Sequence, residues 1–286
     1  MHASKKFDTG SQRFQKHARS LILTTCKSHR SSCKAFSPGI GSDDQWQTSR
    51  KGPTVQAVQE KLLDCSTRTE ILETLTDRVF QLHSCRTNSR LVIGIAGCPG
   101  SGKSTLARDL RDCINGCAGK HVSEVVPMDG FHLSRSQLDE MPNPARAHRR
   151  RGAHWTFDAV SFVQAIRNAK GGLSFSCPAF DHFVGDPVAE AIPISPECEI
   201  VLVEGLYLLL DRIPWSHLSN FLDESWFLAT DIGVSLERLQ ARQCVDHPLL
   251  SWDEIRKRIE YNDKRNAGVV LATRKRATLH IPNVES

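Results

Sequence analysis

The feature that most constrains this chain is a glycine-rich run at residues 97–104, with the sequence GCPGSGKS. It follows the apolar residues 91–96, which predict a buried strand, and precedes a segment that suits a helix. In such a turn the backbone N–H groups can face a polyphosphate, Lys103 can reach the β- and γ-phosphates, and Ser104 can ligate Mg²⁺. The dipole at the start of the next helix also favours anions. We therefore predict a nucleotide-binding loop made of Gly97, Cys98, Pro99, Gly100, Ser101, Gly102, Lys103, Ser104 and Thr105.

Beyond this loop, apolar runs alternate with segments of helical spacing. Strands are predicted over residues 91–96, 122–128, 200–203 and 226–230. Helices are predicted from Ser104, over residues 157–169 and 252–263, and from a segment that begins with residues 235–243. This alternation predicts an α/β fold of the P-loop NTPase type, in which a parallel sheet carries helices on both faces. Ligands of such sheets bind at the carboxyl ends of the strands.

The N-terminal part of the chain differs from the rest in composition. Asp8 is the only acidic residue before Gly41, whereas eight lysines and arginines occur there among many serines and threonines. We expect residues 1–50 to be a basic leader of the transit-peptide type, directed to a plastid rather than a mitochondrion because of its serine and threonine content. A solvated tail of a cytoplasmic protein is the alternative. Residues 51–89 show helical spacing and predict a helical segment, and residues 90–286 form the predicted P-loop domain.

Composition also argues against several classes of protein. The net charge of +5 comes from the basic leader, so we expect no nucleic-acid partner for the core. No apolar run approaches the roughly 18 residues that a membrane span needs, so no membrane partner is expected either. The ten cysteines include no C-x-x-C pair, which argues against zinc or redox sites. Cys98 is expected to be a small side chain that fits the turn, although Lys103 and the helix N-terminus could lower the pKa of its thiol.

Several acidic and histidine side chains follow predicted strands, where a bound nucleotide would lie. Asp129 comes directly after the second strand and could accept a proton from a hydroxyl that attacks the γ-phosphate. Glu204 ends the third strand and could hold Mg²⁺ through water. His132 is either a hydrogen-bonding partner of the substrate or a polar loop residue. Asp181 and His182 lie in a polar turn and could bind hydroxyl groups of an acceptor.

Two groups of arginines could supply positive charge to a transferring phosphoryl group. Arg238 and Arg242 lie four residues apart on a predicted helix and therefore share a face. We expect that helix to form a mobile lid, with Arg242 stabilising the transferred group and excluding water. Residues 149–151 are three consecutive arginines, and a solvated basic surface is as good an interpretation of them as a role in phosphoryl transfer.

The motifs together resemble one superfamily. The chain is similar to the phosphoribulokinase, uridine kinase and pantothenate kinase superfamily of P-loop kinases, from about residue 91 to residue 270. It looks most like a uridine-kinase-like branch of unassigned substrate. The matching blocks are GCPGSGKST, VVPMDGFHL, RRGAHWTFD, PAFDHFVGDPV, IVLVEGLYLLL, RLQARQ and NDKRNA.

The resemblance implies roles for individual residues. By it, Asp129 matches the catalytic base, Lys103 and Ser104 the phosphate and Mg²⁺ ligands, and Glu204 the carboxylate at the strand end. Asp181 matches an acceptor-binding residue of uridine kinases, and Arg242 matches a lid arginine. Two positions depart from the pattern: His154 stands where the superfamily usually has proline, and the Gly-Phe-His that follows Asp129 is nearer to pantothenate kinases.

These observations predict an ATP-dependent kinase that uses ATP and Mg²⁺. It would transfer the γ-phosphate to a hydroxyl of a small-molecule acceptor, which is a nucleoside, a sugar or a pantothenate-like metabolite. The alternative is a P-loop switch or assembly factor that hydrolyses ATP without a metabolite acceptor. A homodimer is as compatible with the sequence as a monomer.

Overall fold

The structure is a computed structural model that describes residues 63–86, 89–181 and 183–283. Its helices are α1 (Arg68–Ser84), α2 (Lys103–Ala118), α3 (Arg135–Asp139), α4 (Pro144–Arg149), α5 (Ala159–Lys170), α6 (Ile232–Asp246), α7 (Trp252–Arg258) and α8 (Lys264–Leu271). Its strands are β1 (Leu91–Gly97), β2 (Ser123–Pro127), β3 (Phe175–Asp181), β4 (Asp186–Ile194), β5 (Ile200–Gly205), β6 (Glu224–Ala229) and β7 (Leu279–Pro282). The predicted leader, residues 1–50, lies outside the described residues.

The main sheet has five parallel strands in the order β2-β5-β1-β6-β7. β1 lies at its centre and is buried along its whole length, as expected for a strand whose two faces are both covered. The register pairs Ile95 of β1 with Glu204 of β5. That pairing brings the carboxylate at the end of β5 beside the end of β1, where the glycine-rich loop begins.

Helices cover both faces of this sheet, which confirms the predicted architecture. Val92 and Ala96 of β1 face one core, which also contains Phe162 of α5 and Val270 of α8. Ile93 and its alternate neighbours in β1 face the other core, which is completed by α1 and α2. The period-two alternation of a strand therefore divides one apolar run between two hydrophobic layers.

The N-terminal helical segment is described from residue 63 onward. α1 begins at a capping box in which the side chains of Thr67 and Glu70 satisfy each other's backbone N–H groups. A guanidinium of α1, that of Arg78, binds Glu224 of β6 at 2.5 Å. α1 therefore packs onto the P-loop core. The boundary between the helical segment and the P-loop domain, predicted at residue 89, stays a prediction.

Some elements differ from the sequence-based expectations. β3 and β4 form a separate antiparallel hairpin, and neither strand was predicted; β7 was not predicted either. The helix expected over residues 252–263 is interrupted, because α7 passes into a π-helical turn at Ile259–Asp263 and then into α8. Among the described helices, not one has the length and apolarity required to cross a lipid bilayer.

Candidate active site

The glycine-rich loop joins the carboxyl end of β1 to the first residue of α2. Gly100 and Gly102 have φ angles of 77° and 95°, a conformation that favours glycine because it has no Cβ. A Cβ at Gly100 would lie 2.1 Å from the carbonyl oxygen of Ser235 in α6. The loop therefore has the backbone of a phosphate-binding turn, and α6 packs directly against its apex.

Lys103 opens α2 and is buried beneath the loop. Its ammonium donates a hydrogen bond to the carbonyl oxygen of Cys98 at 2.9 Å, across the mouth of the turn. Burial lowers the pKa of Lys103, and the carboxylates of Glu204 and Asp129 oppose that shift. Both predicted carboxylates thus lie within electrostatic reach of the predicted phosphate-binding lysine.

Ser104 and Glu204 are in direct contact. The Ser104 hydroxyl donates a hydrogen bond to Oε1 of Glu204 at 3.0 Å. Burial, reinforced by the charge of Asp129, raises the pKa of Glu204 to about 7, and Lys103 opposes the rise. A hydroxyl beside a buried carboxylate is an oxygen donor set that fits Mg²⁺, and the loop N–H groups beside it fit a polyphosphate.

Asp129 lies in a 3₁₀ turn, Met128–Phe131, that directly follows β2. β2 pairs with β5, so this turn lies at the same edge of the sheet as Glu204. The hairpin packs tightly on the turn, since a Cβ at Gly130 would lie 2.0 Å from the carbonyl oxygen of Pro178. The fold therefore brings Asp129 and Glu204 together although 75 positions separate them in the sequence.

His132 is fixed within this turn. Its Nδ1 donates to the carbonyl oxygen of Asp129 at 2.8 Å, and its ring lies 4.0 Å from the ring of Phe157 and 4.8 Å from that of Phe180. Such a histidine can shape the acceptor side of the site. A direct bond to substrate stays a prediction.

Asp181 closes the turn of the hairpin between β3 and β4. Its Oδ1 accepts hydrogen bonds from the backbone N–H groups of Phe183 at 2.7 Å and Val184 at 3.0 Å. The carboxylate is thus occupied locally, and its role in acceptor binding stays a prediction. The other predicted residue of this turn, His182, lies outside the described residues.

The predicted lid arginine belongs to α6. The Arg242 side chain is 59% exposed, and its Nε lies 4.0 Å from Asp246 one turn later. Its charge adds to the lowering of the pKa of Lys103, which places the guanidinium within electrostatic reach of the loop. Arg238 donates instead to the side chain of Asn283, at 3.2 Å. Of the two arginines, Arg242 is therefore the one whose charge acts on Lys103, and its role as a lid arginine stays a prediction.

Residues 92–283 match the family described as "Phosphoribulokinase / Uridine kinase family". The chain belongs to this family. Membership supports an ATP-dependent phosphotransferase, and it implies ATP and usually Mg²⁺ as the groups bound at the loop.

Relatives of this phosphoribulokinase/uridine kinase family member lie in fungi and bacteria. A Schizosaccharomyces pombe protein, described as a candidate uridine kinase, is 39% identical over 62% of this chain and 76% of its own length. A crystal structure from Silicibacter, described as a candidate fructose transport system kinase, is 34% identical, covers 73% of this chain and 98% of that one, and has a TM-score of 0.66.

A third comparison concerns the fold alone. The structure of YFH7 from Saccharomyces cerevisiae, described as a candidate P-loop containing kinase with a circular permutation, is 23% identical and has a TM-score of 0.66. It covers 75% of this chain and 99% of that one. The Schizosaccharomyces pombe relative is a fungal protein and lends no support to a plastid, so the plastid location and the transit peptide stay predictions.

The structure corrects one expectation about Cys98 of this kinase-family protein. The thiol is buried, and burial raises its pKa to about 11 in spite of the nearby Lys103. The expectation that the loop could lower the pKa of this thiol is therefore wrong. A buried, protonated thiol fits the view of Cys98 as a small side chain in the turn.

Sequence reasoning assigned no role to two asparagines of the π-turn and α8. Asn262 donates to the carbonyl oxygen of Arg151 at 2.7 Å, and Asn266 donates to Asn262 at 3.3 Å. Arg151 itself binds Asp186 and the carbonyl oxygens of Leu133 and Gly185. These bonds tie α8, the triple arginine and the hairpin together. The only sequence signal was the block NDKRNA, which contains both asparagines.

Proposed function

We propose that this protein transfers the γ-phosphate of ATP to a hydroxyl group of a small metabolite, which is a nucleoside, a sugar or a pantothenate-like compound. One observation carries the proposal. Two carboxylates at the ends of different strands, Asp129 in the turn after β2 and Glu204 in β5, lie within electrostatic reach of the loop lysine. Among the described residues, Glu204 is the one of the two that bonds the predicted Mg²⁺-ligating residue Ser104. A hydrolytic switch needs a metal-holding carboxylate, whereas a second carboxylate suits the deprotonation of an acceptor.

The roles of the residues follow from their positions. Lys103 and the loop N–H groups hold the phosphates, and Ser104 and Glu204 would hold Mg²⁺, which supplies positive charge to the phosphate oxygens when bound. Asp129 accepts the proton of the acceptor hydroxyl. The hydroxyl oxygen forms its bond to the γ-phosphorus while the bond from phosphorus to the ADP oxygen breaks. Arg242 adds charge beside the transferred group when α6 moves toward it.

The test is ADP release by the full chain in the presence of Mg²⁺-ATP and a panel of hydroxyl metabolites. We expect ADP release to rise with one class of acceptor, and Asp129→Asn to reduce that rate by about 10²–10⁴-fold while ATP affinity is preserved. Asp112→Asn is the matched control, because Asp112 is a surface carboxylate of α2 whose side chain is 65% exposed.

Two outcomes would count against the proposal. Hydrolysis of ATP at one rate whatever acceptor is present would favour the ATP-hydrolysing switch or assembly factor. An acceptor-dependent rate that Asp129→Asn leaves unchanged would remove Asp129 from the role of general base.

A further inference from the structure

Three guanidinium groups surround one aromatic ring next to the proposed active site. Their central carbons lie 4.7 Å (Arg265), 5.8 Å (Arg149) and 5.9 Å (Arg150) from the centre of the Tyr261 ring. We call these four residues the arginine cluster. Within the described part of the chain, none of its three arginines forms a salt bridge. Like charges at this spacing repel, so a cluster held together without a carboxylate suits an anion that comes from outside.

The cluster is held in place by one of its own members. Arg150 donates to the carbonyl oxygen of Tyr261 at 2.8 Å and to Oδ1 of Asn266 at 3.0 Å. Its guanidinium is therefore committed to the protein and contributes mainly charge. Because these bonds join α4 to α8, the segments that carry the other two arginines keep a fixed separation.

The other two arginines have hydrogen-bond donors to spare. Arg149 uses its Nε on the carbonyl oxygen of Ala145 at 3.3 Å, and its two terminal nitrogens have no acceptor among the described residues. Across the same described residues, the Arg265 guanidinium has the Tyr261 ring as its partner and no hydrogen-bond acceptor. Both side chains are exposed. A carboxylate or phosphate between them would gain charge-assisted hydrogen bonds from both.

The cluster adjoins the carboxyl edge of the sheet. Tyr207, three residues beyond Glu204, donates from its hydroxyl to the carbonyl oxygen of Gly152 at 2.7 Å. Gly152 follows the triple arginine directly. Burial raises the pKa of Tyr207, Arg150 opposes the rise, and Asp263 and then Asp129 add to it. The hydrogen bond from Tyr207 to Gly152 therefore places the triple arginine at the same edge of the sheet as Glu204.

A row of aromatic side chains connects the two groups. The ring of Phe157 lies 5.9 Å from the Tyr207 ring on one side and 4.0 Å from the His132 ring on the other. His132 in turn donates to the backbone of Asp129. Phe157 and Tyr207 are buried in the core, so these packed rings fix the separation between the turn of Asp129 and the segment of the triple arginine.

We propose that the arginine cluster binds an anionic group of the acceptor, a carboxylate or a phosphate, and that the protein therefore phosphorylates anionic rather than neutral metabolites. This inference rests on the proposed function, because it concerns the acceptor of that same reaction. Arg149 and Arg265 are the residues that donate to the anion. They hold it at the carboxyl edge of the sheet while a hydroxyl of the same metabolite faces Asp129.

The first experiment measures binding without turnover. The full chain is saturated with Mg²⁺ and a non-hydrolysable ATP analogue, so that the loop is filled. Inorganic phosphate is then titrated against chloride at equal ionic strength, and Tm is recorded. We expect phosphate to raise the Tm of the wild type and to leave that of Arg149→Gln and Arg265→Gln unchanged. Equal shifts in wild type and variants would overturn the proposal by showing that phosphate acts elsewhere.

A matched control is available at the opposite end of the sheet. Arg167 is an exposed arginine in the last turn of α5, and the nearby Ala169 carbonyl binds Arg90, which directly precedes β1. That contact places Arg167 near the amino ends of the strands, away from the proposed site. Arg167→Gln should keep the full phosphate-dependent rise in Tm. Arg265→Lys, which keeps the charge but not the fork of donors, should keep part of it.

The second experiment compares acceptors that differ only in charge. Suitable pairs are glycerate with glycerol, ribose 5-phosphate with ribose, and pantothenate with its alcohol. We expect the anionic member to be phosphorylated with the higher kcat/KM. Arg265→Gln should raise its KM about tenfold or more, the effect of one charge-assisted hydrogen bond, while the KM for ATP stays constant. A preference for the neutral members, or a rise in the KM for ATP alone, would overturn the proposal.

Failure of this inference and failure of the proposed function give different results. If no acceptor stimulates ADP release, the proposed function fails, and the phosphate titration still decides whether the cluster binds an anion. If a neutral acceptor is phosphorylated and Asp129→Asn abolishes the rate, the proposed function stands and the inference fails.

Discussion

At the residue scale, Glu204 shows how burial and local charge set the chemistry of a side chain. Its carboxylate lies between Ser104, Lys103 and Asp129, and its pKa is raised to about 7. In the folded protein it therefore holds a proton at pH values where an ordinary carboxyl is ionised. Mg²⁺ would displace that proton, because metal ligands must be deprotonated.

This pKa makes the stability of the protein depend on pH in a defined direction. Between pH 4.5 and about 7 the folded state retains a proton that the unfolded state has lost, so the free energy of unfolding falls as the pH rises through that window. Glu204→Gln removes this loss. We expect it to be more stable than the wild type at pH 8 by roughly 1–3 kcal/mol, with little difference at pH 4.5.

The measurement is urea unfolding of both proteins in EDTA across this pH range. All other titrating groups are common to the two proteins, so their difference reports Glu204 together with its electrostatic effect on Lys103 and Asp129. A difference that does not change with pH would show that the carboxyl titrates normally in the folded state.

Gly100 and Gly116 form a matched pair for a second prediction. At Gly100 a Cβ would meet the Ser235 carbonyl at 2.1 Å and the φ angle is 77°, whereas a Cβ at Gly116 in α2 meets nothing within 4 Å. We expect Gly100→Ala to lower the free energy of unfolding by more than about 1 kcal/mol and to weaken ATP binding. Gly116→Ala should raise the free energy of unfolding by about 0.5–1 kcal/mol. Equal effects in urea unfolding would contradict this account.

At the element scale, the side chain of Arg151 reinforces the packing of the hairpin β3–β4 on the turn of Asp129. Arg151 binds Asp186 at 2.5 Å and the Leu133 carbonyl at 2.8 Å, and its ring contact is Phe180 at 5.5 Å. Without Arg151 the hairpin would keep its own ladder and the contact of Pro178 with Gly130, but it would lose the ion pair at Asp186. The sequence left open whether residues 149–151 form a solvated basic surface or part of a site. In the structure Arg151 holds the hairpin, whereas Arg149 and Arg150 belong to the arginine cluster.

The loss of this attachment should affect stability and the acceptor side together. We expect Arg151→Met to lower the free energy of unfolding by about 2–3 kcal/mol, because a half-buried Asp186 would lose its charged partner and keep the backbone N–H of Arg135. The KM for the acceptor should rise. The KM for ATP should stay within about twofold, because the nucleotide-binding loop packs on α6, whereas Arg151 holds the hairpin. Arg167→Met, at an exposed site of α5, is the control in both assays. A rise confined to the KM for ATP would contradict the role given to the hairpin.

At the scale of the whole molecule, nucleotide binding should stabilise the entire fold. The loop lies between the central strand and α2, and α6 packs on its apex. A ligand bound there therefore contacts or braces β1, α2 and also α6, which lies far from the other two in the sequence. At a concentration of 100 Kd, a Mg²⁺-nucleotide should add about 2.7 kcal/mol to the free energy of unfolding.

Lys103→Ala tests this linkage. The variant loses the ammonium that is held across the loop, and each charged hydrogen bond contributes about 1.5–3 kcal/mol. We expect it to show a much smaller rise in Tm with Mg²⁺ and a non-hydrolysable ATP analogue, whereas Gly116→Ala keeps the full rise. A full rise in Lys103→Ala would place the nucleotide elsewhere.

The elements that the sequence failed to predict share a physical cause. β3 and β4 contain Pro178, Pro187 and Pro193, residues that are tolerated only in edge strands. In a two-stranded hairpin every strand is an edge, so the prolines are allowed, yet they conceal the strands from pattern analysis. The π-turn at Ile259–Asp263 likewise leaves the helical spacing almost unchanged and is invisible in it.

The sequence by itself determined the strand–loop–helix unit at residues 91–105, the parallel α/β class and the identity of Lys103, Ser104, Asp129 and Glu204 as candidates. Those features depend on local chemistry, on glycines in a turn and on periodicity along a few residues. Only the tertiary structure decided that Glu204 bonds Ser104, that Cys98 keeps its proton and that the arginines of α4 and α8 meet at Tyr261. Each of these depends on burial or on contact between segments up to 116 positions apart, for which short-range patterns carry no signal.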